Sequence, residues 1–416
     1  MTTLWQCGKM NFEIIIGLNF KGPTIKYSMS GWKDIFIKSA TAIEDKWDEL
    51  RFGLTKKLGL NDPVQIVPYR TYGTATRLYI KGRVLEDKNI SGAQDKDTIF
   101  NNLLNMYKRF ESDEVPGARL KIILGDEEHE IVTDKEGYFV LNLQPVMPIV
   151  NEQLWHPIPV QLVSAPIPFD ASLEVMAEVM IPPADAEYGI ISDIDDTVVK
   201  TGATNLLAMS RATFLHNAKT RLPFAGVAEF YKALQLGRNG RRSNPFFYVS
   251  SSPWNLYDLL KDFLDLNGIA AGPLLLRDFG LEHKEGDANG HKGHKLKEIK
   301  QIMYAYPHLQ FVLIGDSGQE DPVIYREVVK EFPGRILAIY IRDVKLPERK
   351  KVAVDISESL RENKVEMIVV ENTVEAAEHA AANGLIYTGA IPAIEQEKKE
   401  DKGEAPGKED AAVISG

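Results

Sequence analysis

The chain has 416 residues, 44% hydrophobic and 26% charged, with a formal net charge of −10; this is the composition of a soluble globular protein too long for one ordinary core, so two domains are expected. The acidic balance argues against a general nucleic-acid binder. The single cysteine, Cys7, excludes an internal disulfide or a cysteine-rich zinc site and fits a reducing, cytoplasmic setting, and no apolar run approaches the roughly 18 residues of a transmembrane helix.

Residues 1–28 fit the remainder badly. Their apolar run Ile14-Ile15-Ile16-Gly17-Leu18 is short and follows Glu13, which makes a poor signal peptide, and Met29 opens a cleaner pattern. We read them as a loose extension or the product of a misplaced start. Phe36, Ala40, Ile43, Trp47, Leu50 and Leu54 then recur in steps of four and three, one face of a helix over about 33–58 that packs on its own domain. Gly59 and Asn61-Asp62-Pro63 end it.

From 64 to 180 the pattern is strand-like. Residues 76–85 and 118–124 alternate polar and apolar, the second run turning at Gly125-Asp126. Residues 130–133 and 138–143 flank Asp134-Lys135-Glu136-Gly137, a loop with hairpin chemistry, and 160–163 and 173–179 supply two more strands. A helix at about 97–110 interrupts them, with Ile99, Leu103, Tyr107 and Phe110 on one face. Short strands at such spacing predict a β-sandwich, so 29–183 is expected to be a helix plus a β-sandwich-like domain. The pattern Thr133-Asp134-x-x-Gly137-Tyr138-Phe139 is similar, locally, to the transthyretin-like modules of carboxypeptidase regulatory domains. No catalytic cluster is evident here, and Trp155-His156 is read as a buried or turn pair.

Ile181-Pro182-Pro183-Ala184-Asp185 is a junction. Beyond it strands alternate with helices, which implies a parallel sheet in a second domain over 184–390. The strands are expected at about 188–193, 245–250, 273–277, 310–315, 335–341 and 366–370. Helices are expected near 224–236, 253–266, 294–305, 322–331 and 373–383. From Glu395 the chain is rich in Glu, Lys and Asp, and 391–416 are expected to form a disordered charged tail.

The chemistry concentrates in the second domain. Its first strand runs into Ser192-Asp193-Ile194-Asp195-Asp196-Thr197, three acids within four residues. Acids packed at a strand's carboxyl end, where open α/β sheets bind ligands, require a cation among them or a proton on one. Ser250, Ser251 and Ser252 follow the strand Phe246-Phe247-Tyr248-Val249, with Ser252 placed to cap a helix beginning at Pro253, whose N-terminus suits a phosphoryl group. Lys295 opens the next helix, against the macrodipole. His283, His291 and His294, in a Gly-rich stretch, match no zinc spacing and are read as solvated loop histidines. A further apolar strand ends in Gly315-Asp316; Asp321 is placed to cap the helix that Pro322 begins, leaving Asp316 for a cation. Each signal is weak alone; four in a fixed order at strand ends are far more specific.

Asp193-x-Asp195-x-Thr197, Ser250, Lys295 and Gly315-Asp316 resemble the four-motif set of the haloacid dehalogenase superfamily of phosphatases. More narrowly, Asp193–Val198, Tyr248–Trp254, Gly272–Asp278, His294-Lys295 and Leu313–Gln319 resemble the catalytic domain of the actin-patch phosphatidate phosphatase family, related to the lipins, over about 185–345. The first domain's arrangement is similar to that of bacterial members. The resemblance implies a Rossmann-like catalytic domain with a minimal cap. It makes Asp193 the nucleophile, forming an aspartyl-phosphate, and Asp195 the general acid and base. Mg²⁺ would sit on Asp193, the Asp195 carbonyl and Asp316. Ser250 and Lys295 would hold the phosphoryl oxygens, with Thr197 and Ser251 as further substrate contacts. Asp321 would serve the metal's water shell or orient Lys295. Fewer than fifty residues separate Thr197 from Phe246, and fewer again Ser250 from Lys295, too few for a large cap; an open cleft suits bulky substrates.

The expected activity is Mg²⁺-dependent hydrolysis of a phosphomonoester, with phosphatidate, converted to diacylglycerol, the substrate the family resemblance implies, and a cytoplasmic protein peripheral at membrane surfaces. The chain shows no polybasic patch for anionic lipids. Two other readings stay open: the same chemistry on a soluble phosphorylated substrate, and a protein that binds a partner or ligand through its β-sandwich with incidental phosphatase activity. Arg277-Asp278 and Arg342, at strand ends, fit substrate contacts and structural ion pairs equally well.

Overall fold

Alternating burial along the first strands shows how the N-terminal half folds. The computed structural model describes residues 64–86, 114–149, 153–194, 225–240, 243–277 and 290–401. The extension 1–28, the helices expected at 33–58 and 97–110, Asp195, Thr197, Asp278 and His283 lie outside the described residues. The expected small cap rests partly on 195–224 and 278–289, also outside them.

The first sheet holds β1 (Val64–Pro68), β2 (Thr71–Thr74), β3 (Arg77–Glu86), β4 (Arg119–Leu124), β5 (Glu127–Val132), β6 (Tyr138–Leu143), β7 (Trp155–Ser164) and β8 (Glu174–Met180). Seven of its eight strands lie on one hydrogen-bonded path, β1-β3-β2-β8-β7-β4-β5, and β6 branches from it by pairing with β3. The pairing is antiparallel except for β2 with β8, which makes the sheet mixed. The loop 134–137 does not close a hairpin as its composition suggested. β5 pairs with β4 and β6 with β3, so the loop carries the chain between partners. Asp134 still makes the turn, its Oδ1 accepting from the N–H groups of Glu136 (3.0 Å) and Tyr138 (2.8 Å). Gly137 sits there at φ 74°, where a Cβ would lie 2.6 Å from the Val84 carbonyl oxygen.

The second sheet contains β9 (Gly189–Asp193), β10 (Phe246–Pro253), β11 (Leu274–Arg277), β12 (Phe311–Asp316), β13 (Ile336–Arg342) and β14 (Glu366–Val370). It is parallel throughout, in the order β11-β10-β9-β12-β13-β14. All six predicted strands are present. The helices are α1 (Val227–Leu236), α2 (Tyr257–Leu266), α3 (Gly290–Ala305), α4 (Asp321–Glu331), α5 (Pro347–Leu360), α6 (Thr373–Ala382) and α7 (Ile391–Asp401). Successive strand residues feed opposite layers, as the two-residue period requires. Ile190, Tyr248 and Ile314 pack with α1, α2 and α6, whereas Ile191, Val249 and Leu313 pack with α3, α4 and α5.

Three differences from expectation have local causes. Strand β10 continues through Ser252 to Pro253, opposite Arg277, and a 3₁₀ turn Trp254–Leu256 precedes α2, so Ser252 caps no helix. Helix α5 went unpredicted because its polar sequence buries only Ala353, Ile356 and Leu360. Helix α7 occupies part of the segment expected to be a disordered tail, anchored by Ile394, which is fully buried.

Helix α7 also completes α1. The residue before α1 is Gly226, which has no side chain to cap it. Asp401 Oδ2 accepts from the Gly226 N–H (2.7 Å), and Glu397 Oε2 from the Glu229 N–H (2.8 Å). Burial, with the neighbouring acids Asp401, Glu229 and Glu400, pushes the Glu397 carboxyl up to about 7. The folded state therefore takes up a proton between the ordinary glutamate range and about pH 7. This contribution is complete below that range and lost as pH rises through 7. We predict that hydrogen-exchange protection of the Gly226 and Glu229 amides increases as pH falls from about 8 to 6, and that Glu397→Gln flattens the dependence.

The two sheets meet through aromatic and charged contacts. Tyr69, just after β1, stacks on Trp254 at 5.0 Å between ring centroids and lies 4.1 Å from Tyr257. Lys81 places its ammonium 3.7 Å from the Trp254 ring centroid. Arg70 bonds Asp265 on α2 (2.7 Å), and the Tyr306 hydroxyl donates to the Gly73 carbonyl (2.8 Å). Burial of Lys81 breaks the in-out alternation of β3.

Candidate active site

Strand order reverses between β9 and β12, and the crevice beyond their carboxyl ends is where such sheets bind ligands. Val249 lies opposite Asp193 and Ile314 opposite Ser192, so Asp193 and Asp316, which end β9 and β12, and Ser250, within β10, lie at similar heights on three neighbouring strands. Helix α3 brings Lys295 to them and the start of α4 brings Asp321. All five are buried, with Asp193 only 1% exposed.

Lys295 is the hub. Its ammonium lies 2.6 Å from Asp193 Oδ1 and 2.9 Å from Asp321 Oδ1, and donates to Gln319 Oε1 at 3.0 Å. Carboxylate oxygens of Asp193, Asp316 and Asp321 lie within 4.8 Å of one another. Three buried acids around one ammonium leave negative charge to be offset. This hard, all-oxygen donor set fits a magnesium-like cation better than a soft metal.

Asp321 is not the helix cap its sequence position suggested. It occupies the first turn of α4 without a capping bond, and its Oδ2 accepts from the Asp316 N–H at 3.0 Å. It thus ties strand end to lysine. Gly315 permits the approach, since a Cβ there would lie 2.5 Å from Asp321 Oδ2. Asp316 Oδ1 accepts from the N–H groups of Gly318 (2.6 Å) and Gln319 (3.0 Å), folding the turn that delivers Gln319. Ser250 Oγ accepts from the Ser252 N–H at 2.9 Å and is fully buried, whereas Ser251 is partly exposed.

Sequence reasoning missed three neighbours. Gln319 bonds Lys295. Tyr231 on α1 shares a hydrogen bond with Ser192 (2.7 Å), whose hydroxyl donates to the Asp193 carbonyl (2.7 Å). Burial first, and Asp193 beyond it, hold the Tyr231 phenol above its ordinary range. The Tyr325 hydroxyl donates to the Ile314 carbonyl (2.7 Å); burial, with Asp321 and Asp193, raises its pKa too. These tyrosines lie on segments expected to be helical, and only long-range pairing gives their hydroxyls a task. His294 sits buried on α3, not in a solvated loop. Arg342 ends β13 opposite Asp316, and Arg277 ends β11 opposite Pro253.

Residues 188–343, which include Asp193, Ser250, Lys295, Asp316 and Asp321, match the family described as the catalytic domain of phosphatidate phosphatase APP1. Phosphatidate phosphatase APP1 of Saccharomyces cerevisiae is 36% identical over 155 residues, covering 37% of this chain and 25% of that protein. An uncharacterized protein of Schizosaccharomyces pombe is 29% identical over 230 residues, covering 52% of this chain and 35% of its own length. The matches thus span between a quarter and about a third of these relatives. A carbohydrate acetylesterase structure from Xanthomonas citri aligns over 71% of this chain and 74% of its own at 10% identity, but its TM-score of 0.24 carries no argument about fold.

Proposed function

We propose, from the match of residues 188–343 to the catalytic domain of phosphatidate phosphatase APP1, that this protein is a Mg²⁺-dependent phosphomonoesterase that converts phosphatidate to diacylglycerol. The observation that carries the reading is the cluster of three buried carboxylates on Lys295, at the crevice where strand order reverses. The proposal includes a haloacid dehalogenase, Rossmann-like assignment for the parallel domain, which the strand order supports.

In this reading one carboxylate oxygen of Asp193 attacks phosphorus. The P–O bond to the alcohol breaks, and Asp195 gives the leaving oxygen its proton. Asp195 then takes a proton from water, which attacks the aspartyl-phosphate and frees inorganic phosphate. Lys295 offsets the charge of Asp193, letting an anionic phosphoryl group approach, and carries charge that develops on its oxygens. Ser250, on β10, holds the phosphoryl group, and Thr197 and Ser251 are further substrate contacts. Asp193, Asp316 and the Asp195 carbonyl would hold Mg²⁺, which when bound supplies positive charge for the phosphoryl oxygens and the acids. Both oxygens of Asp321 are engaged, by Lys295 and the Asp316 N–H, so its role is to orient Lys295. Ser192 and Tyr231 fix the backbone of Asp193 from below. Among the described residues no helix is long and apolar enough to cross a membrane, consistent with a lipid headgroup reached from the membrane surface.

The test is phosphate release from phosphatidate in mixed micelles, with and without Mg²⁺, beside a panel of soluble phosphomonoesters. Magnesium-dependent turnover favouring phosphatidate is expected. Turnover of soluble esters alone would retain the chemistry and remove the lipid; no turnover by folded protein would overturn the proposal.

A further inference from the structure

Strand β13 ends beside the catalytic crevice, and the chain turns there into α5. Arg342 lies opposite Asp316 in the pairing of β13 with β12. The Val344 N–H donates to Ser317 Oγ at 3.1 Å, and a Cβ on Gly318 would lie 3.0 Å from the Val344 side chain. The turn that follows, Lys345-Leu346-Pro347, therefore stands at the rim of the sheet end that holds Asp193 and Asp316. Helix α5 runs back from that rim toward the start of β14, as a crossover between parallel strands must.

Two residue choices in this turn work against stability. Lys345 has φ 61°, in the left-handed region that favours glycine. Leu346 stands immediately before α5, where Ser, Thr, Asp or Asn would cap the first N–H groups, and no side chain caps this helix. Leu346 is 51% exposed. The turn is nevertheless firmly built. The buried Asp343 carboxylate accepts from the Lys345 N–H (2.8 Å) and pairs with the Lys350 ammonium (2.8 Å). A strained, uncapped turn held in one shape with an apolar tip in water calls for a partner outside the chain.

The surroundings define that partner. Residues 345–351 carry four cations and one acid, in a chain whose net charge is −10. Lys350 is held by Asp343 and Glu371, and Asp343 also feels the charge of Lys345. Lys345, Arg349 and Lys351 are exposed, and Arg349 and Lys351 form no ion pair among the described residues. The positive end of α5 adds to this field. Cations around an exposed leucine match an anionic lipid surface, with phosphates for the cations and the boundary between headgroups and acyl chains for the leucine. Interrupted by Leu346, Pro347 and Glu348, these cations do not read as a polybasic patch in the sequence; their place beside the crevice gives them that role.

We propose that residues 345–351 dock this protein on an anionic membrane surface, with Leu346 entering the headgroup–acyl boundary and Lys345, Arg349 and Lys351 paired with lipid phosphates. The proposal rests on the phosphatidate reading for the orientation it explains, since a protein docked this way turns its crevice toward the bilayer that holds the substrate.

The test reads binding apart from turnover. The full chain carrying Asp193→Asn is co-sedimented with vesicles of phosphatidylcholine alone, with added phosphatidylglycerol, and with added phosphatidate. Phosphatidylglycerol carries the charge without being a phosphomonoester, so docking on it stands whether or not phosphatidate is the substrate. Binding to both anionic vesicles is expected, and it should fall with added salt. Lys345→Gly, Arg349→Gln and Lys351→Gln are expected to weaken it by about fivefold for each cation removed, and Leu346→Ser by about fivefold or more. Glycine suits the backbone at 345, so weaker binding without a lower melting temperature separates docking from damage. Glu348→Lys, which adds a cation to the same turn, is expected to tighten binding, a gain that damage does not produce. Binding to anionic vesicles that is indifferent to these substitutions, equal binding to phosphatidylcholine alone, or no binding at all would overturn the proposal.

Discussion

Asp193→Asn is expected to lower phosphate release by about a thousandfold or more, as loss of a covalent nucleophile does in other enzymes. The same change is expected to leave stability intact without Mg²⁺, or raise it by roughly 1 kcal/mol. The two effects part because of what surrounds the residue. Asn fills the space of Asp, so no cavity opens, and Lys295 keeps Asp321 as a partner at 2.9 Å. What disappears is one of three mutually repelling carboxylates. The magnesium response parts as well. A ligand at a hundredfold its dissociation constant stabilises a protein by about 2.7 kcal/mol, and the variant should gain clearly less. Urea titrations with and without Mg²⁺, beside a phosphate-release assay, read all three quantities. Turnover within tenfold of wild type would remove Asp193 from the nucleophile's role.

Lys295→Met is expected to be the most destabilising single change at the site. Methionine keeps much of the side chain's volume but leaves Asp193 and Asp321 buried without their ammonium. Breaking a buried ion pair from one side costs about 3–5 kcal/mol. Two further results separate this charge effect from a packing defect. Mg²⁺ should stabilise the variant by more than it stabilises wild type. Adding Asp321→Asn should recover part of the loss, the non-additivity expected of groups in one network. A urea midpoint that is unchanged in Lys295→Met would contradict a charge balance centred on the Lys295 ammonium.

How much of this was legible in the sequence depends on how local each signal is. The parallel strands were legible because Ile190-Ile191, Phe246–Val249 and Phe311–Ile314 are short apolar runs with acids or serines at their ends. Asp193, Ser250 and Asp316 were named from those ends, Lys295 and Asp321 from the starts of helices, and the fold brings them together. Their tasks were less legible. Asp321 before Pro322 has the sequence of a cap, yet it turns inward to Lys295 because Gly315 leaves it room. Ser252 before Pro253 has it too, yet pairing with β11 extends the strand past it. Helix α7 was hidden because Glu397 and Asp401, charged residues in a charged segment, acquire partners only once the N-terminus of α1 is beside them. The same holds for Tyr69, Lys81 and Trp254, far apart in the chain and mutually defined in the fold.

That last group sets a rule for grafting. The family match begins at residue 188, but the Trp254 ring within it is covered by residues from β1 to β3. A chimera joining this catalytic sheet to a foreign N-terminal module would place an unmatched surface against Trp254 and Tyr257 unless Tyr69 and Lys81 travel with it. Relatives that carry a different first module are therefore expected to vary at these four positions together, as one inherited block.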